Sequence, residues 1–446
     1  MKVLHVITGL GIGGAEQQLR LLLRHLPVQG RVVTLTNPGA VAEGIEADGT
    51  PVTHLGMTGN RDLGALPRLA RIIRQGGYDL VHTHLYRACV YGRAAARLAG
   101  VRPVIATEHS LGEAQIEGRP LSAGTRALYL ASERLGTSTV AVSPSVARRL
   151  ADWGVAPARI RVVPNGIESG RFAFDPEARS RTRAALGLPA DAFVVGGVGR
   201  LAPGKRFDRL VRAVASVPEA RLLLVGEGDR RAELLRLAGE CGAADRVLLP
   251  GAIADPPGGG VGGALSGPAG GGAGGALSGP AGGPAGGAAG GLSADAAGGP
   301  AAGLSADAAE GAAAGAAGGS VRGPVGGPVG GRPDLPSLLA AMDVFVSTSP
   351  DETFGLAVVE ALAAGLPVLY VACPAVDDLP AGAAPGARRI GESVPELIGA
   401  LRELRAAGAE RLPQPEAARH YDIAHSARKL LSLYDQAVHG TPLPVK

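Results

Sequence analysis

Short, uninterrupted apolar runs alternate with stretches in which apolar residues recur every three to four positions. "KVLHVI" (2–7), "RVVTLT" (31–36), "DLVHTH" (79–84) and "PVIATEH" (103–109) are runs of the first kind. Continuous rather than alternating apolar strands are buried on both faces, as in a parallel sheet covered by helices. Between them, "AEQQLRLLLRHL" (15–26), "LPRLARIIRQGG" (66–77) and the segment from Arg87 to Leu98 repeat with helical period. "TVAVSPSVARRLADWG" (139–154) predicts a strand and then a helix, and "IRVVPNGI" (160–167) a further strand. Repeated strand–helix units predict a doubly wound parallel sheet over residues 1–180.

The pattern then restarts. "AFVVGGVGR", "ARLLLVGEG" and "RVLLPGAI" predict strands, with helices at "FDRLVRAVASV" and "RRAELLRLAGECG" between them. "DVFVSTS", a helix opening near Phe354, and "PVLYVA" complete a second α/β domain over 185–400, and residues 415–438 predict a C-terminal helix. Residues 256–333 break this domain with a tract of Gly, Ala, Pro and Ser that repeats "GGALSGPAGG" and "LSADAA". Such a tract offers too little apolar side chain to offset the entropy of ordering it, so it reads as a disordered, passive insertion.

Composition narrows the chemistry. Aromatic residues make up 3% of the 446 residues, too few for a base-stacking platform, which argues against nucleic acid as a partner. Three cysteines at wide spacing, Cys89, Cys241 and Cys373, supply neither a disulfide framework nor a CxxC metal site. The Gly-rich start does not read as a signal peptide and no run is long enough to span a membrane, so a cytoplasmic protein is expected. Lys and Arg exceed Asp and Glu in the first 180 residues, which suits phosphate-bearing ligands or a peripheral contact with the inner face of an anionic membrane.

Four stretches carry candidate chemistry. In "TGLGIGGAEQQL" glycines 9, 11, 13 and 14 stand between a strand and a helix, where Gly13 and Gly14 allow close backbone approach to a ligand. A dinucleotide fingerprint would want an acid at the end of the second strand, and "VVTLTN" has none. In "GVGRLAPGKRFDRLV" the chain spends one of only four lysines, Lys205, at the opening of a helix and close to Arg200, and this pair of cations suits a diphosphate. In "PVIATEHS" His109 follows a strand and therefore lies at the carboxyl end of the sheet, where it can exchange a hydrogen bond with a substrate hydroxyl. His82 and His84 hold a similar strand end but read as structural, and no carboxylate stands at a spacing that would complete a metal site.

The fourth stretch is "SPDETFGLAVVEALAAGLPV". It places Glu352 in a loop, the amides of Phe354, Gly355 and Leu356 at a helix start where they can meet an anion, and Glu360 about two turns down that helix.

Together these stretches resemble the retaining glycosyltransferases of family 4 with the GT-B fold. "ETFGLAVVE" resembles the family's E-x7-E motif, "GRLAPGKRFDRLV" its donor-phosphate segment and "GLGIGGAE" its N-terminal glycine loop, while "VAVSPSVARRL" and "VVPNGI" resemble its domain-end sequences. The resemblance implies two Rossmann-like domains facing a cleft. The first would serve the acceptor, a saccharide or lipid-linked saccharide of cell-surface polysaccharide synthesis. The second would hold a UDP- or GDP-hexose as substrate. Arg200 and Lys205 would neutralise the diphosphate, Glu352 would contact the transferred sugar, Glu360 the ribose, and His109 would lie near the sugar. No metal and no cofactor are implied. The sequence departs from the pattern at Thr353, where the family usually carries glycine, a change expected to tighten the loop. It departs again at the insertion and after "PVLYVAC", which leaves base and donor sugar open. Rival readings are a non-catalytic sugar-nucleotide-binding subunit and a transferase acting on a soluble metabolite.

Overall fold

The computed structural model describes residues 1–59, 62–112, 115–117, 119–253, 333–408 and 410–440. The insertion read at 256–333 therefore lies, apart from Pro333, outside the described residues. The first 162 residues build a seven-stranded parallel sheet whose spatial order, left to right, is Val52–His54, Gln29–Thr34, Lys2–Ile7, Leu80–His84, Val104–Glu108, Ser138–Ala141 and Ile160–Val162. A second sheet has the order Val247–Gly251, Ala220–Val225, Phe193–Val198, Val344–Ser347, Val368–Tyr370 and Ala387–Arg389, again all parallel. In each sheet the chain reverses its direction of travel beside the strand that enters first. That reversal opens a crevice at the carboxyl ends of two central strands, which is where open α/β sheets bind ligands.

Alternation along the strands sorts side chains between two helical layers. On Lys2–Ile7, Leu4 and Val6 join Leu69, Ile73 and Ala95 of the helices Ala65–Gly76 and Tyr86–Ala99. Val3 faces the opposite layer, with Leu80 and Ile105, under the C-terminal helix residues Ile423, Leu430 and Tyr434. In the second sheet Val195, Leu222, Leu224 and Val344 pack against Phe207–Ala215 and Val394–Ala406. The C-terminal end is two helices, Glu416–His420 and Ile423–His439, not one. Tyr421 breaks the run because its carbonyl accepts from Ile167 N at 2.8 Å, and Asp422 then caps the second helix by accepting from Ala424 N. The last helix therefore returns to cover the first sheet. Among the described residues no helix is long and apolar enough to cross a membrane.

Candidate functional site

The crevice of the second sheet opens between Phe193–Val198 and Val344–Ser347. Past the first of these strands the backbone passes through Gly199 at φ +153, where Gly226 abuts the Gly199 carbonyl too closely to admit a Cβ. Arg200 follows, exposed. Lys205 ends a short 3₁₀ turn, Pro203–Lys205, and the helix begins only at Phe207, two residues after the lysine expected to open it. The delay has a cause. Thr348 Oγ1 donates to the Lys205 carbonyl at 2.7 Å and Ser349 Oγ to the Gly204 carbonyl at 3.3 Å, so the turn is tied to the end of the neighbouring strand. Arg206 takes up the change of direction at φ +52, an uncommon conformation for a residue with a side chain.

Past the second strand, Glu352 reaches back and its Oε1 accepts from Lys205 Nζ. The pair joins the ends of two adjacent strands across the crevice. Gly355, at φ +99 and with the Cys373 thiol where a Cβ would go, then starts the helix Leu356–Ala363. No side chain caps that start, which leaves the first-turn amides turned toward any anion that reaches them. Glu360 lies one turn into this helix rather than two, since the helix opens at Leu356 and not near Phe354. The Phe354 ring itself is buried edge-on against Tyr421, with centroids 4.9 Å apart, so only its backbone is left for a ligand.

The first sheet contributes His109 and the glycine loop. Gly13 caps the helix Gly14–His25, and the Glu16 carboxylate folds back over it into the space a Gly13 side chain would need. A methyl group built on Gly14 would sit 3.6 Å from Leu356 Cδ1, so the glycine loop faces the start of the Leu356 helix. Burial raises the Glu16 carboxyl above the usual carboxylate range, and the charge of Arg200 opposes the rise.

His109 is buried, and burial lowers its imidazole to about 4, so the ring is neutral at physiological pH. Its carbonyl accepts from Thr353 Oγ1 at 2.7 Å, and Ser143 Oγ donates to the Thr353 carbonyl at 2.8 Å. Arg149 adds an ion pair to Asp351 at 3.3 Å while donating to the Leu111 carbonyl at 3.0 Å. These contacts fasten the Asp351–Thr353 loop to the first sheet. The residues singled out in the sequence thus assemble in one place: Lys205 and Glu352 as a pair, Gly14 against Leu356, and His109 bonded to the residue after Glu352. Arg200 is brought to the same crevice without joining the Lys205–Glu352 pair.

Sequence reasoning missed Thr353, Ser143, Arg149 and Glu16. In the sequence Thr353 stands out only as a departure from glycine. Ser143, ahead of Pro144, carries a readable helix-cap signal, since it accepts from Val146 N, but nothing local announces its bond to Thr353. His82 and His84 are buried as expected of structural residues, and His5 joins them. The ring nitrogens of His5, His82 and His84 fall within 4.8 Å of one another, close enough to suggest a metal ion. His82 is already held on both nitrogens, by Tyr434 Oη at 2.6 Å and Thr107 Oγ1 at 2.7 Å, and His84 on both, by His5 and His109. The three rings therefore fit a hydrogen-bonded cluster better than a set of ligands awaiting a cation. A surface concavity lined by Arg179, Asp191, Arg221 and Arg405 lies at the amino ends of the second sheet's strands, the wrong end for a crevice ligand.

Comparison with known proteins agrees with this layout. The family described as Glycosyltransferase Family 4 matches residues 12–171, and two described as Glycosyl transferases group 1 match 178–257 and 305–404. A D-inositol 3-phosphate glycosyltransferase of Acidothermus cellulolyticus is 36% identical over 256 residues, 51% of this chain and 54% of that one. The UDP-Gal:alpha-D-GlcNAc-diphosphoundecaprenol alpha-1,3-galactosyltransferase of Escherichia coli is 27% identical over 176 residues, 38% of this chain and 46% of that one. The chain spans about half the length of the curated relatives it matches. Among solved structures, Anabaena Alr3699/HepE in complex with UDP and glucose superposes with a TM-score of 0.70 at 21% identity, covering 97% of this chain and 98% of that one. A sucrose-phosphate synthase of Thermosynechococcus elongatus superposes with a TM-score of 0.65 at 19% identity, covering 99% and 100%. The shared architecture is GT-B: two Rossmann-like parallel-sheet domains.

Proposed function

We propose that this chain, which belongs to the group 1 glycosyltransferases of the GT-B fold, transfers a hexose from a UDP- or GDP-sugar to a hydroxyl acceptor with retention of anomeric configuration. The observation that carries the proposal is the Lys205–Glu352 pair at the crevice of the second sheet, set between an exposed arginine and an uncapped helix start. The half built on residues 185–400 binds the donor, and the half built on 1–180 presents the acceptor.

The donor diphosphate lies against Arg200, Lys205 and the first-turn amides of the Leu356 helix. As the bond from the anomeric carbon to the diphosphate oxygen breaks, its electron pair passes to the diphosphate. Two fixed cations and a helix start stabilise the growing charge there without rearranging. The same diphosphate takes the proton of the acceptor hydroxyl attacking from its own side, so configuration is kept and protons balance. The cations do the work a metal ion does elsewhere, so we propose no metal and no cofactor. Glu352 turns one carboxylate oxygen to a hydroxyl of the transferred sugar, Glu360 binds the ribose diol, and neutral His109 hydrogen-bonds the sugar from the other side. Gly13 and Gly14 leave room for the sugar or the acceptor at the loop that faces Leu356.

Two acceptor classes follow from the relatives. A lipid-linked saccharide, as in the name of the E. coli enzyme, fits the basic first half and a peripheral position at the inner membrane face. A soluble inositol phosphate, as in the name of the Acidothermus enzyme, fits the higher identity. The test incubates the protein with UDP- and GDP-hexoses and, in turn, a diphosphoundecaprenol-linked sugar and D-inositol 3-phosphate. Mass spectrometry then identifies the product and the anomeric proton coupling reports its configuration. One donor–acceptor pair should give an axial product from an axial donor. An inverted product would contradict the mechanism. Donor binding without transfer to either class would favour a sugar-nucleotide-binding subunit.

A further inference from the structure

The strands Lys2–Ile7 and Leu80–His84 lie side by side, with His5 in register with His82 and Ile7 with His84. Side chains two apart on a strand share a face. His82 and His84 therefore lie on the same face as Leu80, which packs with Val3 and the C-terminal helix, and His5 comes onto that face from the neighbouring strand. The outcome is a row of three imidazoles. His5 Nδ1 is 3.2 Å from His84 Nε2, and His84 Nδ1 is 3.2 Å from His109 Nε2. His5 and His84 rings stack at a centroid distance of 5.5 Å, as do His84 and His109. His82 stands beside the row and outside it, satisfied by Tyr434 and Thr107. The two outermost nitrogens, His5 Nε2 and His109 Nδ1, are buried without a hydrogen-bond partner among the described residues.

Counting protons gives this row a direction. A neutral imidazole has one N–H donor and one acceptor nitrogen. Three neutral rings have three donors, and the two links use two of them. The third donor must stand at one end, and a lone pair at the other. If it stood at His5 Nε2, an N–H would be sealed in a ring that is 0% exposed, and an orphaned buried N–H is among the rarest features of folded proteins. If it stands at His109 Nδ1, the N–H is buried as well, but on a ring that keeps 6% exposure just past the carboxyl end of its strand, the end at which open α/β sheets bind ligands, so a ligand oxygen arriving there can accept it.

We propose that His84 and His5 are positioning residues: through this row they hold the proton of His109 on Nδ1, so that His109 meets the substrate as a hydrogen-bond donor and not as a base. The inference rests on the reading of His109 as a cleft residue of a transferase. It narrows that reading, because a hydroxyl accepting from Nδ1–H keeps its own proton free for another acceptor such as the Glu352 carboxylate. His84 acts at both links, since its Nδ1–H supplies the donor to His109 and its Nε2 receives the donor from His5.

The test is made on the whole chain, labelled with ¹⁵N-histidine and free of ligand. Long-range ¹⁵N–¹H correlation, assigned by substitution of single histidines, distinguishes a protonated from an unprotonated ring nitrogen. His109 is expected to show a protonated Nδ1 and a bare Nε2. In His84→Phe, which keeps a flat ring, that preference should be lost. In His5→Phe, which removes only the far link, it should weaken. Tyr434→Phe deletes the hydroxyl on His82 and should leave the His109 signals as they are. With a donor identified, His84→Phe should lower kcat/KM about tenfold, the effect of one misdirected hydrogen bond in the transition state. A His109 protonated on Nε2 in the unsubstituted protein would overturn the proposal, as would an unchanged His109 in His84→Phe. Should His84→Phe not fold, the unsubstituted spectrum and His5→Phe still decide it. A protein that turns over no nucleotide sugar would defeat the transferase reading, whereas the ligand-free spectrum judges the proton's position independently.

Discussion

Glu108 and the histidine row set opposite limits on stability at the scale of single residues. Glu108 is buried with neither carboxylate oxygen in a hydrogen bond among the described residues. Burial, and then the charge of Glu117, push its carboxyl up to about 8 against the pull of Arg93. The folded state therefore holds a proton that the unfolded chain releases above about 4.5, and stability falls as pH rises toward 8. His5 and His109 shift the other way, from 6.5 to about 3 and about 4, so the unfolded chain takes up protons the folded one refuses and stability falls as pH drops below 6.5. Urea denaturation from pH 5 to 9 should show a maximum near pH 6.5. Glu108→Gln should flatten the alkaline side by about 2 kcal/mol between pH 6.5 and 8. Thr353 is the second residue to test. Thr353→Val keeps the shape and deletes the bond to the His109 carbonyl. Donor KM should rise about fivefold, the effect of about 1 kcal/mol, with the midpoint of unfolding nearly unchanged. Neither residue's role was legible in the sequence. Glu108 reads as a strand-end acid, and the partner of Thr353 lies 244 residues away.

Among the elements, those with strong periodicity were legible and those set by tertiary contacts were not. The helices Gly14–His25 and Ala65–Gly76 form where the apolar spacing puts them. The helix Gly39–Ala47, built mainly from small residues, and the three-residue edge strand Ala387–Arg389 have no such signature. The two helix starts that matter most for the site, Phe207 and Leu356, lie about two residues beyond the positions the sequence predicts. Gly355 delays one by taking a left-handed turn, and the hydroxyls of Thr348 and Ser349 delay the other by holding the turn before it. Gly355→Ala tests the first. A Cβ there would meet the Cys373 thiol on a backbone that disfavours side chains, so the protein should lose about 2 kcal/mol of stability, read from its urea midpoint. Nucleotide affinity should fall further than stability alone explains, because the amides of the helix start would be re-aimed.

At the scale of the molecule, both sheets repeat one rule: the carboxyl ends of central strands open where the winding reverses. That rule lets His109 be read as a crevice residue from sequence position, whereas Lys205 and Glu352 stand out by residue type and motif. It could not foresee that the glycine loop faces Leu356 or that the last helix folds back over the first sheet, because both depend on contacts between segments hundreds of residues apart. The Lys205–Glu352 crevice is proposed to hold a sugar nucleotide. The most direct measurement is nucleotide release from a panel of UDP-, GDP- and ADP-sugars, alongside calorimetric binding, for the unsubstituted chain, Glu352→Gln and Lys205→Ala. One donor should bind and be slowly hydrolysed. Lys205→Ala should weaken its binding at least tenfold by removing a cation from the diphosphate. Glu352→Gln should bind the donor but release nucleotide at least tenfold more slowly. Binding and release that are unaffected by both substitutions, or no binding of any sugar nucleotide, would contradict it.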